Sequence, residues 1–176
     1  QTRLNYFELF NLPFQFDVKI NTIMDTYREL QRVVHPDKFA HASEHEQLLA
    51  VQKSAEVNDA FETLKDPIRR AQYMLAVQDV DIQIEQKTLQ DPEFLMQQME
   101  FREELEDISA MDDPDEAVES FETKIKLLTA DLYCQLTPML VTSCRITLEN
   151  AATIVRKLKF MNKLREELDR LEDSIH

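Results

Sequence analysis

The 176-residue chain contains no glycine, although average usage would supply about a dozen. Glycine provides the positive φ angles of tight hairpin turns, β-bulges and phosphate-binding loops. The absence of glycine therefore argues against a β-rich fold and against a glycine-rich nucleotide-binding loop. Helices can end on asparagine instead, so a glycine-free chain is compatible with a fold built from helices. We expect an all-α protein.

The charge of the chain is strongly negative and unevenly distributed. Of the net charge of −14, residues 1–78 carry −2 and residues 79–176 carry −12. Such an excess of negative charge makes nucleic acid and anionic membranes unfavourable partners. The sequence shows no apolar run long enough to span a membrane and no signal-peptide pattern. Cys134 and Cys144 lack the spacing of a metal site and suit a reducing compartment.

Three Asp-Pro pairs mark predicted helix starts, because aspartate is a favourable N-cap and proline costs nothing at the first helical position. The pairs are Asp66-Pro67, Asp91-Pro92 and Asp113-Pro114. Asp17 and Ser43 are further N-cap candidates, and Ser43 with Glu46 forms a capping-box pattern. With the apolar periodicity, these signals predict helices over 5–9, 18–34, 44–65, 67–77, 92–111, 115–136 and 148–175. Pro138 is expected to interrupt the helical pattern between the helices predicted over 115–136 and 148–175.

The helices fall into two groups that are separated by a polar segment. Residues 78–91 contain a polar stretch without helical periodicity, which is typical of a linker. We expect residues 1–77 to form a helical hairpin with two short helices. The long helices of residues 92–176 can form an antiparallel three-helix bundle.

The tripeptide His35-Pro36-Asp37 lies between the second and third predicted helices. Pro36 fixes its own φ and biases His35 away from the helical region, so the helix must stop there. Arg28 and Arg32 lie four residues apart on the preceding helix, and Lys38 continues the positive charge into the loop. Two interpretations remain open, an ordinary solvated helix face or a docking surface for an acidic partner.

Five blocks of the first 77 residues resemble a J-domain. They are Asn5-Tyr6-Phe7-Glu8-Leu9-Phe10, Tyr27-Arg28-Glu29-Leu30, His35-Pro36-Asp37-Lys38-Phe39, the run from Val57 to Pro67, and Arg69-Arg70-Ala71-Gln72-Tyr73. Asn11 stands where many J-domains have glycine, and asparagine tolerates a left-handed backbone. The resemblance implies a co-chaperone that docks on a DnaK-type ATPase and stimulates it by contact. The residues carried over to that surface are His35, Pro36, Asp37, Arg28, Arg32 and Lys38.

The predicted helix over 92–111 carries apolar residues on two faces. Phe94, Phe101, Leu105 and Ile108 share one face, which is enough to bury the helix in a bundle. Leu95, Met96 and Met99 fall on nearly the opposite face, beside Glu100, Glu103, Glu106 and Asp107. Three large apolar side chains framed by carboxylates suit an apolar contact with a charged rim. The alternative is that the bundle rotates enough to cover them.

Phe160 is a second aromatic candidate for this patch. It lies well off the stripe that Val155, Leu158, Met161 and Leu164 trace along the last helix. It could join the patch if the two helices are neighbours. Alternatively, it could make a separate contact beneath the linker.

The second half resembles the HscB family, the J-type co-chaperones of iron–sulfur cluster assembly. The resemblance rests on Glu93-Phe94-Leu95-Met96, Phe101-Arg102-Glu103-Glu104-Leu105-Glu106 and Val155-Arg156-Lys157-Leu158-Lys159-Phe160. It implies a J-domain and a three-helix bundle joined in an L shape, in the bacterial cytoplasm. The bundle would bind the cluster scaffold IscU, and the J-domain would engage the chaperone HscA. The chain itself would hold no cofactor, because any cluster would be on the scaffold.

The scaffold-binding positions of the family carry over to one group of residues in the second half of this chain. They are Leu95, Met96, Met99, Glu100, Glu103, Asp107 and Phe160. Asp107 matches a site that is usually glutamate. Residues 134–146, which include Pro138, fit the family poorly, so the helix boundary there is an open question.

Three other classes compete with this interpretation. In an enzyme, His35 and Asp37 would be an acid–base pair and a cysteine the nucleophile, but no orienting third group or pocket is evident. In a metal protein, His41 and His45 would be ligands on one helix face, but solvated histidines are the simpler interpretation. A J-domain co-chaperone of general protein folding would be expected to carry Gly/Phe-rich and Cys-rich segments. We therefore expect neither an enzyme nor a resident metal.

Overall fold

The computed structural model describes residues 4–82, 87, 88 and 90–176, and within these residues it is helical with no strand. The chain divides into two compact units, residues 1–74 and 75–176. Two short 3-10 helices span Pro36–Phe39 and Ile108–Ala110. The α-helices are α1 (Tyr6–Leu9), α2 (Ile20–Val34), α3 (Glu44–Lys65), α4 (Pro67–Val77), α5 (Pro92–Asp107), α6 (Pro114–Met139) and α7 (Arg145–Ile175). The predicted all-α fold is confirmed.

The first unit is built on a hairpin of α2 and α3. Ile23 on α2 and Val57, Ala60 and Leu64 on α3 are fully buried, as their helical spacing predicts. Ser43 begins α3 as its N-cap, because its hydroxyl accepts a hydrogen bond from the Glu46 backbone N–H at 3.2 Å. This hairpin fixes the loop between its two helices.

Aromatic contacts hold the short helix α1 against α4. The Tyr6 backbone N–H donates to the Tyr73 hydroxyl at 2.8 Å, and the two rings stack with centroids 4.5 Å apart. Phe7 is buried and meets the ring of Phe14 edge-on at 5.1 Å. Such pairs add to the free energy of apolar burial, so α1 closes the core of the first unit.

Helices α5, α6 and α7 form the second unit, in which α6 runs antiparallel to both neighbours. At one end, the His176 imidazole lies 2.9 Å from the Asp115 carboxylate, which places the end of α7 beside the start of α6. Side chains from all three helices share one apolar core. Its buried members are Phe94, Phe101, Leu105, Ile108, Val118, Phe121, Ile125, Phe160, Met161, Leu164 and Leu168.

The segment after α4 belongs to the second unit and packs against α7, as far as the structure describes it. Val80 and Ile82 are buried, and the Arg156 guanidinium donates to the Ile82 carbonyl at 2.8 Å. Burial lowers the pKa of Arg156, and nearby Asp91 opposes this effect. Of the predicted linker 78–91, residues 83–86 and 89 lie outside the described residues.

Several predicted helix ends differ from those observed. Asp17 is not the N-cap of α2, because the helix begins only at Ile20, and Lys19 occupies the cap position without a side-chain bond. Helix α6 continues through Pro138 to Met139. A proline so close to the end removes only one backbone hydrogen bond, so it does not stop the helix earlier. Helix α7 begins at Arg145, three residues before the predicted start.

The chain makes left-handed backbone turns without glycine. Among the described residues, Asn11 has φ of 54° and Asp79 has φ of 62°. Asp79 follows the end of α4, where its N–H donates to the Ala76 carbonyl at 3.0 Å. Asparagine and aspartate are the residues that reach this region most readily after glycine. The expected tolerance at Asn11 is therefore observed.

Candidate functional site

The His-Pro-Asp loop, residues 35–37, lies at the tip of the α2–α3 hairpin. His35 ends α2 with ψ of 133°, the extended conformation that a following proline favours. The Asp37 backbone N–H donates to His35 Nδ1 at 3.3 Å, and the same nitrogen lies 3.5 Å from the Asp37 carboxylate. The side chains of His35 and Asp37 are 52% and 92% exposed. Both groups are therefore accessible to a partner.

The basic face consists of Arg28, Arg32 and Lys38, all of which are exposed. Arg28 pairs with Asp25 on the same helix at 3.5 Å, but both side chains are largely solvated. Exposed pairs of this kind contribute little to stability, so Arg28 can exchange its partner at small cost. Arg32 lies in the last turn of α2, next to the His-Pro-Asp loop. The structure thus places Arg32 and Lys38 directly beside the loop and Arg28 one helical turn before Arg32.

A polar network that the sequence interpretation missed supports the loop from within the hairpin. The Ser54 hydroxyl donates to the Gln31 side-chain oxygen at 2.9 Å, and the Gln31 amide donates to Asn58 at 2.8 Å. The Tyr27 hydroxyl donates to the same Asn58 oxygen at 2.6 Å. The Gln31 carbonyl also accepts the His35 backbone N–H at 2.9 Å. In the sequence, only the position of Gln31, one helical turn before His35, indicated a residue that could support the loop.

The methionine patch, defined here as Leu95, Met96 and Met99, lies on the outer face of α5. Met96 and Met99 are each 64% exposed, and Leu95 is half-buried. The carboxylates of Glu100, Glu103 and Asp107 are exposed on the same helix. The bundle therefore does not rotate to cover the two methionines. An apolar patch with an acidic rim suits a partner that has an apolar contact surrounded by basic groups.

Phe160 does not belong to this exposed surface. Only 6% of the residue is accessible, and its ring meets Phe94 edge-on at 5.9 Å and Phe101 at 6.2 Å. The expectation that Phe160 extends the exposed patch is therefore wrong. The reason is that α5 crosses α7 at this position, so a side chain off the main stripe of α7 is buried by a second helix. Phe160 supports α5 from below.

An ion pair covers the Phe160 ring from the side. The Arg102 guanidinium lies 5.6 Å from the ring centroid and donates to both carboxylate oxygens of Glu167, at 2.8 and 3.1 Å. Both bonds come from one guanidinium nitrogen, Nη1, and because both groups are charged they are stronger than bonds between neutral groups. The ion pair between Arg102 and Glu167 joins α5 to α7 beside the methionine patch.

Two further candidate groups for chemistry lie outside these surfaces, the Cys144 thiol and the histidine pair His41 and His45. Hydrogen bonds from Thr147 and from the backbone of Ile146 lower the pKa of the exposed Cys144 thiol, which lies at the start of α7. His41 precedes α3, which begins at Glu44, so His41 and His45 do not share a helix face. Across the part of the chain that the structure describes, no group of three potential ligands could hold a metal.

No helix among the described residues is both long and apolar enough to cross a bilayer.

Comparisons with known proteins identify both units. Residues 5–73 match the DnaJ domain profile, and residues 90–169 match the profile described as the HSCB C-terminal oligomerisation domain. The chain is 56% identical to the Co-chaperone protein HscB homolog of Photobacterium profundum, over 97% of this chain and 98% of that protein. The chain belongs to the HscB family of co-chaperones. The homolog from Shewanella amazonensis is 55% identical, over 98% of this chain and 99% of that protein.

Solved structures of HscB proteins share the fold. The chaperone HscB from Vibrio cholerae superposes with a TM-score of 0.91 at 48% identity, covering 98% of this chain and 100% of that one. Human co-chaperone protein HscB gives a TM-score of 0.84 at 26% identity, covering 98% of this chain and 84% of that one. The HscB assignment thus covers both units, including the helices that carry the two candidate surfaces.

Proposed function

We propose that the chain delivers an IscU-type iron–sulfur scaffold to an HscA-type chaperone and stimulates the ATPase activity of that chaperone. The first unit would engage the chaperone, and the second would hold the scaffold. Any cluster would travel on the scaffold, so the chain itself would need no cofactor. The bacterial relatives make the cytoplasm the natural setting for this activity.

The chaperone contact is assigned to the His-Pro-Asp loop and the basic face. Support comes from the exposure of His35 and Asp37 at the tip of the hairpin. Arg28, Arg32 and Lys38 add positive charge around that tip, which favours an acidic partner surface. His35 would act by contact, since its Nδ1 already accepts a hydrogen bond from within the loop.

The scaffold contact is assigned to the methionine patch and its acidic rim. The single observation that carries this proposal is the 64% exposure of Met96 and of Met99 on a helix whose opposite face is buried. Flexible methionine side chains adapt well to an apolar partner surface. Glu100, Glu103 and Asp107 would select basic groups around that contact, and buried Phe160 would hold α5 in position.

The proposal is tested by titrating the chain separately with purified scaffold and purified chaperone. We expect saturable scaffold binding in calorimetry and a higher rate of ATP hydrolysis by the chaperone. Stimulation without scaffold binding would favour a J-domain co-chaperone of general protein folding. Absence of both effects would overturn the proposal.

A further inference from the structure

The apolar core of the first unit does not extend to the tip of the α2–α3 hairpin. Of the residues of α2, all of which the structure describes, Ile23 alone is buried, and it lies about three helical turns before His35. The 3-10 helix Pro36–Phe39, also described in full, contains no buried residue. The first buried residue of α3 is Ala50, about two turns into that helix. Polar contacts therefore have a larger part in holding the tip than in holding the rest of the hairpin.

Two glutamines, one from each helix, brace this tip. Gln47 on α3 reaches back to the connection after the loop, where its side-chain amide donates to the Ala40 carbonyl at 3.1 Å and to the Ala42 carbonyl at 3.3 Å. Gln31 on α2 bonds Ser54 of α3 in both directions. Its side-chain oxygen accepts the Ser54 hydroxyl at 2.9 Å, and its amide donates to the Ser54 carbonyl at 3.3 Å. The chain on both sides of the His-Pro-Asp loop is thereby tied to α3.

The backbone of the loop is bonded to the same two anchor points. The Gln31 carbonyl accepts the His35 N–H at 2.9 Å, and the His35 carbonyl accepts the Lys38 N–H at 3.0 Å. Beyond the loop, the Ala42 N–H donates to the Phe39 carbonyl at 2.9 Å. The loss of about one net hydrogen bond shifts a conformational equilibrium by roughly fivefold. The two glutamines therefore affect how large a fraction of the molecules holds the loop in the observed conformation.

We propose that Gln31 and Gln47 are positioning residues, which hold the His-Pro-Asp loop in the conformation that the chaperone binds. The inference rests on the proposed function and extends it from exposed contact residues to half-buried side chains that act through the loop. When a partner binds only one conformation, its apparent affinity falls with the fraction of molecules in that conformation. Loss of either glutamine thus raises the concentration of chain that gives half of the maximal stimulation and leaves the maximum unchanged.

The test is to replace each glutamine by methionine, which is unbranched, has a similar length and cannot donate a hydrogen bond. Gln52→Met is the matched control, because Gln52 is an exposed glutamine on α3. ATP hydrolysis by the chaperone is measured over a range of concentrations of the chain. We expect Gln31→Met and Gln47→Met to need roughly fivefold more chain for half-maximal stimulation and to reach the wild-type maximum. Gln52→Met should follow the wild-type curve.

Amide hydrogen exchange gives a readout that does not depend on the chaperone. The N–H groups of Lys38 and Ala42 donate within the connection between α2 and α3, so they report local opening of the loop. Their exchange should be about fivefold faster in Gln47→Met than in the wild type. Gln47→Leu, which is also uncharged and cannot donate, repeats both measurements if Gln47→Met lowers helicity in circular dichroism.

Wild-type stimulation curves for both glutamine variants would overturn the inference, even with a loss of stability in urea, because the glutamines would then serve the fold alone. A shifted curve with unchanged amide exchange would also overturn it, since the glutamines would then contact the chaperone themselves. An equal shift in Gln52→Met would do the same. In each of these cases, stimulation by the wild-type chain leaves the proposed function standing. If the wild-type chain does not stimulate the chaperone, the proposed function and the inference fall together.

Discussion

At the residue scale, exposed and buried side chains have different parts in the two surfaces. His35 and Asp37 expose their polar groups to solvent, and the His35 ring accepts a hydrogen bond from the Asp37 backbone N–H. Met96 and Met99 are each 64% exposed and present apolar atoms to solvent. Phe160 and Gln31 lie behind these surfaces and support the helices that carry them. Substitutions should therefore separate effects on binding from effects on stability.

His35→Gln is predicted to abolish stimulation of the chaperone ATPase and to leave the fold intact. The imidazole is half-exposed and lies outside the buried core, so its loss should change the free energy of unfolding by no more than about 0.5 kcal/mol. ATP hydrolysis by the chaperone and thermal unfolding of the variant are the measurements. His41→Gln, at an exposed histidine in the same connection, is the control and should stimulate normally. Full stimulation by His35→Gln would rule out the proposed role of the loop.

The double substitution Met96→Ala/Met99→Ala is predicted to weaken scaffold binding with little loss of stability. Anchor residues of this kind contribute about 2 kcal/mol or more to binding, which corresponds to roughly thirtyfold in affinity. Phe160→Ala should instead lower the free energy of unfolding by about 3–5 kcal/mol, because it empties a site between two buried aromatic rings. Calorimetry with scaffold and unfolding in urea distinguish the two variants.

The opposite pattern would contradict this division of roles. If Phe160→Ala were as stable as the wild type, the residue could not be the support beneath α5. If the methionine variant bound scaffold normally, the exposed patch would have another use.

The sequence pattern predicts the burial of some residues correctly and of others wrongly. The periodicity of α5 separates Phe94 and Phe101 from Met96 and Met99 because one face of a single helix must be buried. The same reasoning fails for Phe160, since α7 is covered by two helices and its buried face is wider than one stripe. The placement of a residue between neighbouring helices depends on tertiary packing, which periodicity alone does not encode.

At the element scale, the Asp-Pro pairs define the starts of three helices as predicted. Asp66, Asp91 and Asp113 each accept a hydrogen bond from a backbone N–H two or three residues ahead. Asp17 was a wrong prediction because a cap works only when it directly precedes the first helical residue. Pro138 was a misleading stop signal because the penultimate position of a helix tolerates proline. The Asp-Pro pairs thus identify helix starts well, whereas Asp17 alone and Pro138 alone did not mark helix boundaries.

Helices α5 and α6 both begin with an aspartate N-cap, and this similarity allows the two caps to be compared by substitution. Asp91→Ala and Asp113→Ala should each lower stability by about 1 kcal/mol, because each removes a side-chain cap of the same type. Only Asp91→Ala should also weaken scaffold binding, since the first two turns of α5 carry the methionine patch. Urea unfolding and scaffold titration of both variants are the measurements. Equal loss of scaffold affinity in the two variants would mean that the start of α5 has no special part in binding.

At the scale of the whole molecule, the sequence divides its charge unequally between the two units. The nearly neutral first half concentrates arginine and lysine beside the His-Pro-Asp loop, whereas the second half carries −12 and places carboxylates around the methionine patch. The absence of glycine predicted the all-α fold correctly, and Asn11 and Asp79 provide left-handed turns in its place. The polar network of Gln31 was missed because it links residues that are distant in the sequence.

In the proposed function, one chain couples scaffold binding by the second unit to chaperone activation by the first. The most direct measurement is steady-state ATP hydrolysis by an HscA-type chaperone with the chain, the IscU-type scaffold, or both. We predict that the two together stimulate hydrolysis by more than the sum of their separate effects. Met96→Ala/Met99→Ala should keep the stimulation by the chain alone and lose the additional part. A purely additive response of the wild-type chain would contradict the claim.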